Sequence, residues 1–204
     1  MEKVIREKRE FCRKRNVIAI TNRMLCDRPF DEQIRRVCAL HPKAVILREK
    51  DLTEEEYRSC AKQVKQICDS YQIPYVLHTF WHIAMEMGED TIHLPFPLLQ
   101  KIWNSEDQSV LEAFQKIGTS VHSVTEAELA EQMGVSYLTA GHIYVTDCKK
   151  GLPPRGTDFL KKVCDNVSIP VYGIGGIHFD EKQWEELEQA GAAGGCIMSG
   201  MMKV

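Results

Sequence analysis

A (β/α)8 TIM barrel is the fold class this chain predicts, and three observations predict it. Eight short β-rich runs alternate with helical patterns along 204 residues. Most of these runs are continuously apolar instead of alternating, as strands buried on both faces of a parallel sheet are. Glycine-rich turns follow the last two runs, the place where phosphate-binding barrels keep their anion site. The length lies near the lower limit for this fold, so the barrel is expected to be compact. An open, flavodoxin-like sheet is the rival architecture.

The elements follow in order. A helical stretch over 2–15 has no strand before it; it either caps the barrel bottom or stands in for a missing last helix. Strands are expected at 16–21, 44–48, 75–79, 91–94, 116–122, 137–143, 171–175 and 195–199. A helix over 29–40 takes Asp27 as its cap. Thr53-Glu54-Glu55-Glu56 opens a helix that runs to Tyr71, with early acids that complement its dipole. Short helices are expected at 81–87 and 96–104, the latter followed by a polar bridge over 105–110. Ser123 caps a helix to Met133, with Glu126 completing a capping box. Helices at 158–166 and 180–190 follow, the second stopped by Gly191. Only 200–204 remain for a shortened last helix. The whole chain, 1–204, reads as one barrel domain without linker, repeat or low-complexity segment.

Hydrophobic residues make up 44% and charged residues 27%, as in a soluble globular domain. A net charge of −3 gives no strong field for nucleic acid or an acidic membrane surface, and neither is expected as a partner. The basic cluster over 3–15 also carries Glu7 and Glu10, and reads as a solvated helix face. No apolar run approaches the roughly 20 residues that cross a bilayer. Met1-Glu2-Lys3-Val4-Ile5-Arg6 lacks the apolar core of a signal peptide, so a cytoplasmic chain is expected. The eight cysteines form no CxxC pair and match no zinc spacing; they read as reduced, mostly buried thiols. Cys148 sits in a polar loop, where a reactive thiol is the alternative.

His142 is the leading candidate for chemistry. It lies in Ala140-Gly141-His142-Ile143-Tyr144-Val145-Thr146-Asp147-Cys148-Lys149-Lys150-Gly151, where an apolar strand hands over to a surface loop. In a parallel barrel that rim is where reactions are done, and imidazole takes and returns protons near neutral pH. The turns Gly173-Ile174-Gly175-Gly176-Ile177 and Met198-Ser199-Gly200 can offer backbone N–H groups to a phosphate, or can be plain tight turns. Arg48 and Lys50 end the second strand and are either a second anion site or a solvated run. Lys149, Lys150 and Arg155 either close over an anionic substrate or belong to an exposed loop. His78 and His82 are four apart, but His78 lies at a strand end, which argues against a metal pair on one helix face. His78 borders the rim; Ser120 and His122 lie at another strand end. His93 is expected to pack in the barrel or bond to backbone, His178 to be exposed, and His41 to lie at the opposite end.

Taken together, the segments Leu47-Arg48-Glu49-Lys50-Asp51, Gly118-Thr119-Ser120-Val121-His122, the stretch 134–156, Ile169-Pro170-Val171-Tyr172-Gly173-Ile174-Gly175-Gly176-Ile177 and Gly191-Ala192-Ala193-Gly194 resemble the thiamine-phosphate synthase superfamily over about residues 17–202. The synthase branch typically carries an Asn-Asp pair after the third strand and an acid after the fourth, which hold magnesium on a pyrophosphate. Here those places read Leu77-His78-Thr79-Phe80 and Leu94-Pro95-Phe96-Pro97-Leu98, with no carboxylate. The Gly-His-x-x-x-Thr-Asp-Cys-Lys-Lys-Gly segment is similar to the thiazole tautomerase branch, where synthases commonly have Gly-Pro.

That resemblance implies isomerisation of a non-aromatic thiazole carboxylate phosphate to its aromatic tautomer in thiamine biosynthesis. It implies His142 as the proton-transfer residue. The phosphate is expected on Gly175, Gly176, Ser199 and Gly200, with Arg48 and Lys50 on the remaining anion. Thr146 and Lys149 would order the loop. No metal or organic cofactor is required, and the partner is a small phosphorylated thiazole; a homodimer is compatible with the chain. Two alternatives stay open: a synthase or another phosphate-barrel enzyme, and a non-catalytic thiazole-phosphate-binding regulator.

Overall fold

A computed structural model describes residues 2–149 and 151–204. Lys150 and the Cys148 side chain lie outside the described residues, and with them the reactive-thiol reading and one member of the basic loop group. Eight parallel strands close into a barrel: β1 (Val17–Ile20), β2 (Ala44–Leu47), β3 (Tyr75–His78), β4 (Thr91–Pro95), β5 (Lys116–Val121), β6 (Tyr137–Gly141), β7 (Val171–Ile174) and β8 (Gly194–Ile197). β8 pairs with β1 at Cys196 and Ile18, which closes the ring and rules out the open-sheet rival.

The continuous apolar runs have a physical cause in two cores. Ile18, Ile20, Ile46, Val76, Tyr172 and Cys196 fill the barrel interior. The alternate residues Val17, Ala19, Val45, Leu47 and Leu77 point outward beneath the helices. Most strands leave the ladder one or two residues before their apolar runs end. That places residues such as Arg48, Thr79 and His122 on the rim rather than in the wall.

The outer layer is α1 (Glu2–Lys14), α2 (Phe30–Ala39), α3 (Glu54–Ser70), α4 (Trp81–Glu86), α5 (Phe96–Trp103), α6 (Val124–Gln132), α7 (Gly156–Asn166) and α8 (Glu181–Gln189). Among the described residues, no helix is long and apolar enough to cross a membrane. After β8 a single 3-10 turn, Met201–Lys203, ends the chain. α1 completes the ring of helices. Phe11 packs edge-on to Trp184 and Phe179 at 5.4 and 5.6 Å, Arg15 pairs with Glu181 and Glu188, and on the other side Arg9 bonds His41. The structure thus selects the second of the two places open to α1, between α8 and α2.

Thr53 and Glu56 form the full capping box on α3. Three expectations are corrected. The cap of α2 is Pro29, without a side-chain bond, because Asp27 lies too far upstream of Phe30. Ser123 caps α6, but Glu126 reaches past it to the N–H of His122, so the box is not reciprocal. The expected polar bridge after α5 is a 3-10 segment over Glu106–Ala113, begun by Ser105 and anchored by buried Leu111.

Candidate active site

A cavity of 260 Å³ opens at the C-terminal ends of the strands. Arg48, Lys50, His78, Ser120, His122, His142, Thr146, Lys149, Gly175, Gly176 and Ser199 all border it. Gly200 does not; it starts the last turn, against Ile197 and Phe179. Sequence reasoning missed Thr139 and Phe96 on the same wall. Thr139 had a signal, being a lone hydroxyl in an apolar strand; Phe96 looks like an ordinary core residue in the sequence.

His142 follows β6 directly and is buried, at 6% exposure. Its backbone is fastened on both sides. The carbonyl accepts from Arg155 N at 3.0 Å, and the next residue, Ile143, donates to Ile174 O at 2.9 Å. Both ring nitrogens are closed to solvent and have no protein hydrogen-bond partner. A buried polar atom without a partner costs about 1–3 kcal/mol, and where native structures keep one it calls for a functional account.

The two glycines after β7 serve a different neighbour from the one their sequence suggests. Gly175 and Gly176 have φ of +97° and +69°. A Cβ on Gly175 would overlap His142 Cβ and come within 2.8 Å of its Cα; one on Gly176 would overlap Val145 O. Their bareness lets the His142 loop lie on the β7 turn, where Tyr144 N donates to Gly175 O at 2.9 Å. The N–H groups of Gly175, Gly176, Ser199 and Gly200 still donate to no acceptor among the described residues. Those of Gly175, Gly176 and Ser199, which border the cavity, remain free for an anion.

The charge on the wall is one-sided. Arg48, Lys50 and Lys149 border the cavity, and no Asp or Glu does among the described residues. Burial, with Arg48 and Lys149 nearby, pushes the Lys50 pKa down; burial and Arg155 do the same for Lys149. An anion between them relieves both costs. Arg155 itself is exposed and lies over the Phe159 ring. Glu49, between the two rim cations, is buried and turned away. It accepts from Thr21 Oγ1 at 2.6 Å and from Arg23 N at 3.0 Å, and so ties the loop after β1 to that after β2. Burial pushes its pKa up.

Beneath the cup runs a chain of hydroxyls and imidazoles. His93 Nε2 bonds Ser120 Oγ at 2.8 Å, and its Nδ1 bonds Tyr137 OH at 3.1 Å. Thr139 Oγ1 donates to Ser120 Oγ at 2.9 Å. Of the two places expected for His93, the structure selects packing in the barrel, where hydroxyls from β5 and β6, not backbone, face its nitrogens. His78 stacks on it with centroids 5.4 Å apart. The metal pair set aside for His78 and His82 does not form: His82 turns to Glu54 at 3.2 Å.

The buried His93 makes stability depend on pH. Burial, then Arg48, pushes its pKa down to about 3, against about 6.5 in an unfolded chain. Below the unfolded value the unfolded state takes up a proton the folded state refuses. Stability present above about pH 6.5 is therefore lost toward pH 3, by up to about 1.4 kcal/mol per pH unit. Urea midpoints measured from pH 7 to 5 should fall, and His93→Gln should fall less steeply; parallel profiles would show that His93 is not the group responsible.

The family model for thiamine monophosphate synthase matches residues 17–201, which takes in all eight strands and leaves out α1. The chain belongs to the thiamine monophosphate synthase family. It is 30% identical over 179 residues to thiamine-phosphate synthase 2 of Streptococcus pneumoniae, covering 85% of this chain and 80% of that one. It is 32% identical over 161 residues to thiamine-phosphate synthase of Clostridium acetobutylicum, covering 78% and 72%. Among solved structures, thiamine phosphate pyrophosphorylase from Pyrococcus furiosus superposes with a TM-score of 0.75 at 25% identity, covering 95% of this chain and 89% of that one. These relatives carry the name of the synthase, or thiamine phosphate pyrophosphorylase, reaction.

Proposed function

We propose that the chain is a thiazole tautomerase within this family, converting a non-aromatic thiazole carboxylate phosphate to its aromatic tautomer. One observation carries the reading: a buried imidazole, His142, with both nitrogens unpartnered on the wall of an acid-free, cation-bearing cup. The synthase reaction needs hard oxygen ligands for magnesium on a pyrophosphate. The rim after β3 and β4 offers His78, Thr79, Pro95, Phe96 and Pro97 instead, and no cluster of three metal-ligating side chains occurs among the described residues. This donor set does not fit that ion.

The chemistry needs a base, an acid and fixed geometry. A His142 ring nitrogen takes the proton from the ring carbon that bears the carboxylate. The electron pair left by that C–H bond moves through the ring to the exocyclic double bond, and the imidazolium returns the proton to the exocyclic carbon. Aromatisation drives the exchange. The phosphate binds the free N–H groups of Gly175, Gly176 and Ser199, while Arg48, Lys50 and Lys149 balance the charge.

The test is NMR of the non-aromatic substrate in D2O without added metal. Enzyme-dependent conversion is expected, and the deuterium content of the exocyclic carbon reports how far the imidazolium exchanges with solvent before it returns the proton. Magnesium-dependent coupling of thiazole phosphate to a pyrimidine pyrophosphate, without isomerisation, would establish the synthase reading that the relatives' names favour. Tight binding of thiazole phosphate with neither reaction would identify a regulator.

A further inference from the structure

His78 occupies a place that the proton transfer does not use. It ends β3, four strands round the barrel from β7 and its glycine turn. A ligand anchored by phosphate at β7 and β8 extends toward it. In the thiazole substrate the carboxylate and the phosphate arm leave the ring from different carbons, so the second anionic group points away from the first.

Three features fix the His78 ring. Its Nδ1 lies 2.6 Å from Thr79 Oγ1. One face stacks on His93, whose own two nitrogens are both occupied. Thr79 takes φ of +74°, a left-handed conformation that a β-branched residue adopts only under constraint, at a cost of about 1–3 kcal/mol. That conformation sets the Thr79 hydroxyl against Nδ1. With the hydroxyl donating there, the ring proton sits on Nε2, leaving a neutral N–H as the ring's group for the cup it borders. A neutral imidazole is what this site favours, since burial, His93, Arg48 and Lys50 all push the His78 pKa down.

His78 and Lys50 also border a second hollow of 240 Å³, and Glu49 opens on that hollow and not on the cup. On the cup side, therefore, His78 and Lys50 face no competing carboxylate from the protein. We infer that His78, with Lys50, forms a carboxylate subsite, the imidazole donating from Nε2 and so selecting a thiazole phosphate that carries a carboxylate over one that does not. His78 is a specificity residue in this account; His142 alone moves the proton. The inference rests on the tautomerase reading.

Calorimetric titration tests it with two aromatic ligands, thiazole carboxylate phosphate and thiazole phosphate, against wild type, His78→Phe and His78→Gln. Phenylalanine keeps the stack on His93 and removes the donor; glutamine keeps a donor. A hydrogen bond to a charged group gives an expected preference of about 10- to 100-fold for the carboxylate in wild type. His78→Phe should abolish that preference by weakening the carboxylate ligand alone, and His78→Gln should restore part of it. Unchanged affinity for thiazole phosphate shows that each variant is folded. Equal weakening of both ligands, or a preference untouched in His78→Phe, overturns the subsite while leaving the tautomerase reading standing. A wild type that binds neither ligand overturns both.

Discussion

His142→Ala is expected to lower the rate of tautomerisation by about 10²–10⁴-fold, the usual contribution of a positioned acid-base group. That corresponds to about 2.7–5.4 kcal/mol of transition-state stabilisation. The loss should fall on kcat, with KM little changed, because the phosphate contacts come from the β7 and β8 turns and not from the ring. The fold should survive: the imidazole makes no hydrogen bond to protein, so its removal orphans nothing. Progress curves followed by NMR, with far-UV circular dichroism alongside, check both statements. A decrease of less than about fivefold would remove His142 from the proton transfer.

Gly175→Ala is expected to cost about 10²-fold or more in kcat, although residue 175 donates no side chain to the chemistry. The added methyl overlaps His142 Cβ and presses to 2.8 Å on its Cα, and a φ of +97° is foreign to alanine. Either the β7 turn or the His142 segment must shift, and displacement near 1 Å in a proton-transfer site has that consequence. Gly134→Ala supplies the comparison. It bears φ of +78° with nothing within 4 Å of its Cβ position, so it carries the backbone strain without the collision. Urea midpoints should fall for both, and turnover for Gly175→Ala alone. Matching turnover in the two variants would refute the close-approach account.

The barrel was legible in the sequence because its strands are buried on both sides. Val17 to Ile20 or Tyr75 to Leu77 must be apolar at every position to meet the interior and the helices at once, and that leaves an unbroken pattern. Helix starts were legible where the capping atoms lie within three residues, as at Thr53 and Glu56. They were not at Pro29, or at Gly156, where the structure begins α7 two residues before the expected start. The Glu106–Ala113 turns were hidden too, since one buried leucine sets no period.

At the site, residue types and their rim positions could be read from the chain; their partners could not. That His142 belongs at a strand end follows from Tyr137-Leu138-Thr139-Ala140 preceding it. That both its nitrogens lie without partners among the described residues follows only from how the loop after β6 packs on the turn after β7. The bareness of Gly175 suggested a ligand, but the atom that would collide belongs to His142, 33 positions earlier in the chain. Likewise Thr79 bears no local sign of its left-handed backbone, and the His78–His93 stack depends on the register in which β3 pairs with β4. Local patterns of burial are written residue by residue, because each side chain answers to water or to hydrocarbon on its own. Which polar atom is left without a partner is a property of the packed whole, since it depends on every element that could have supplied one.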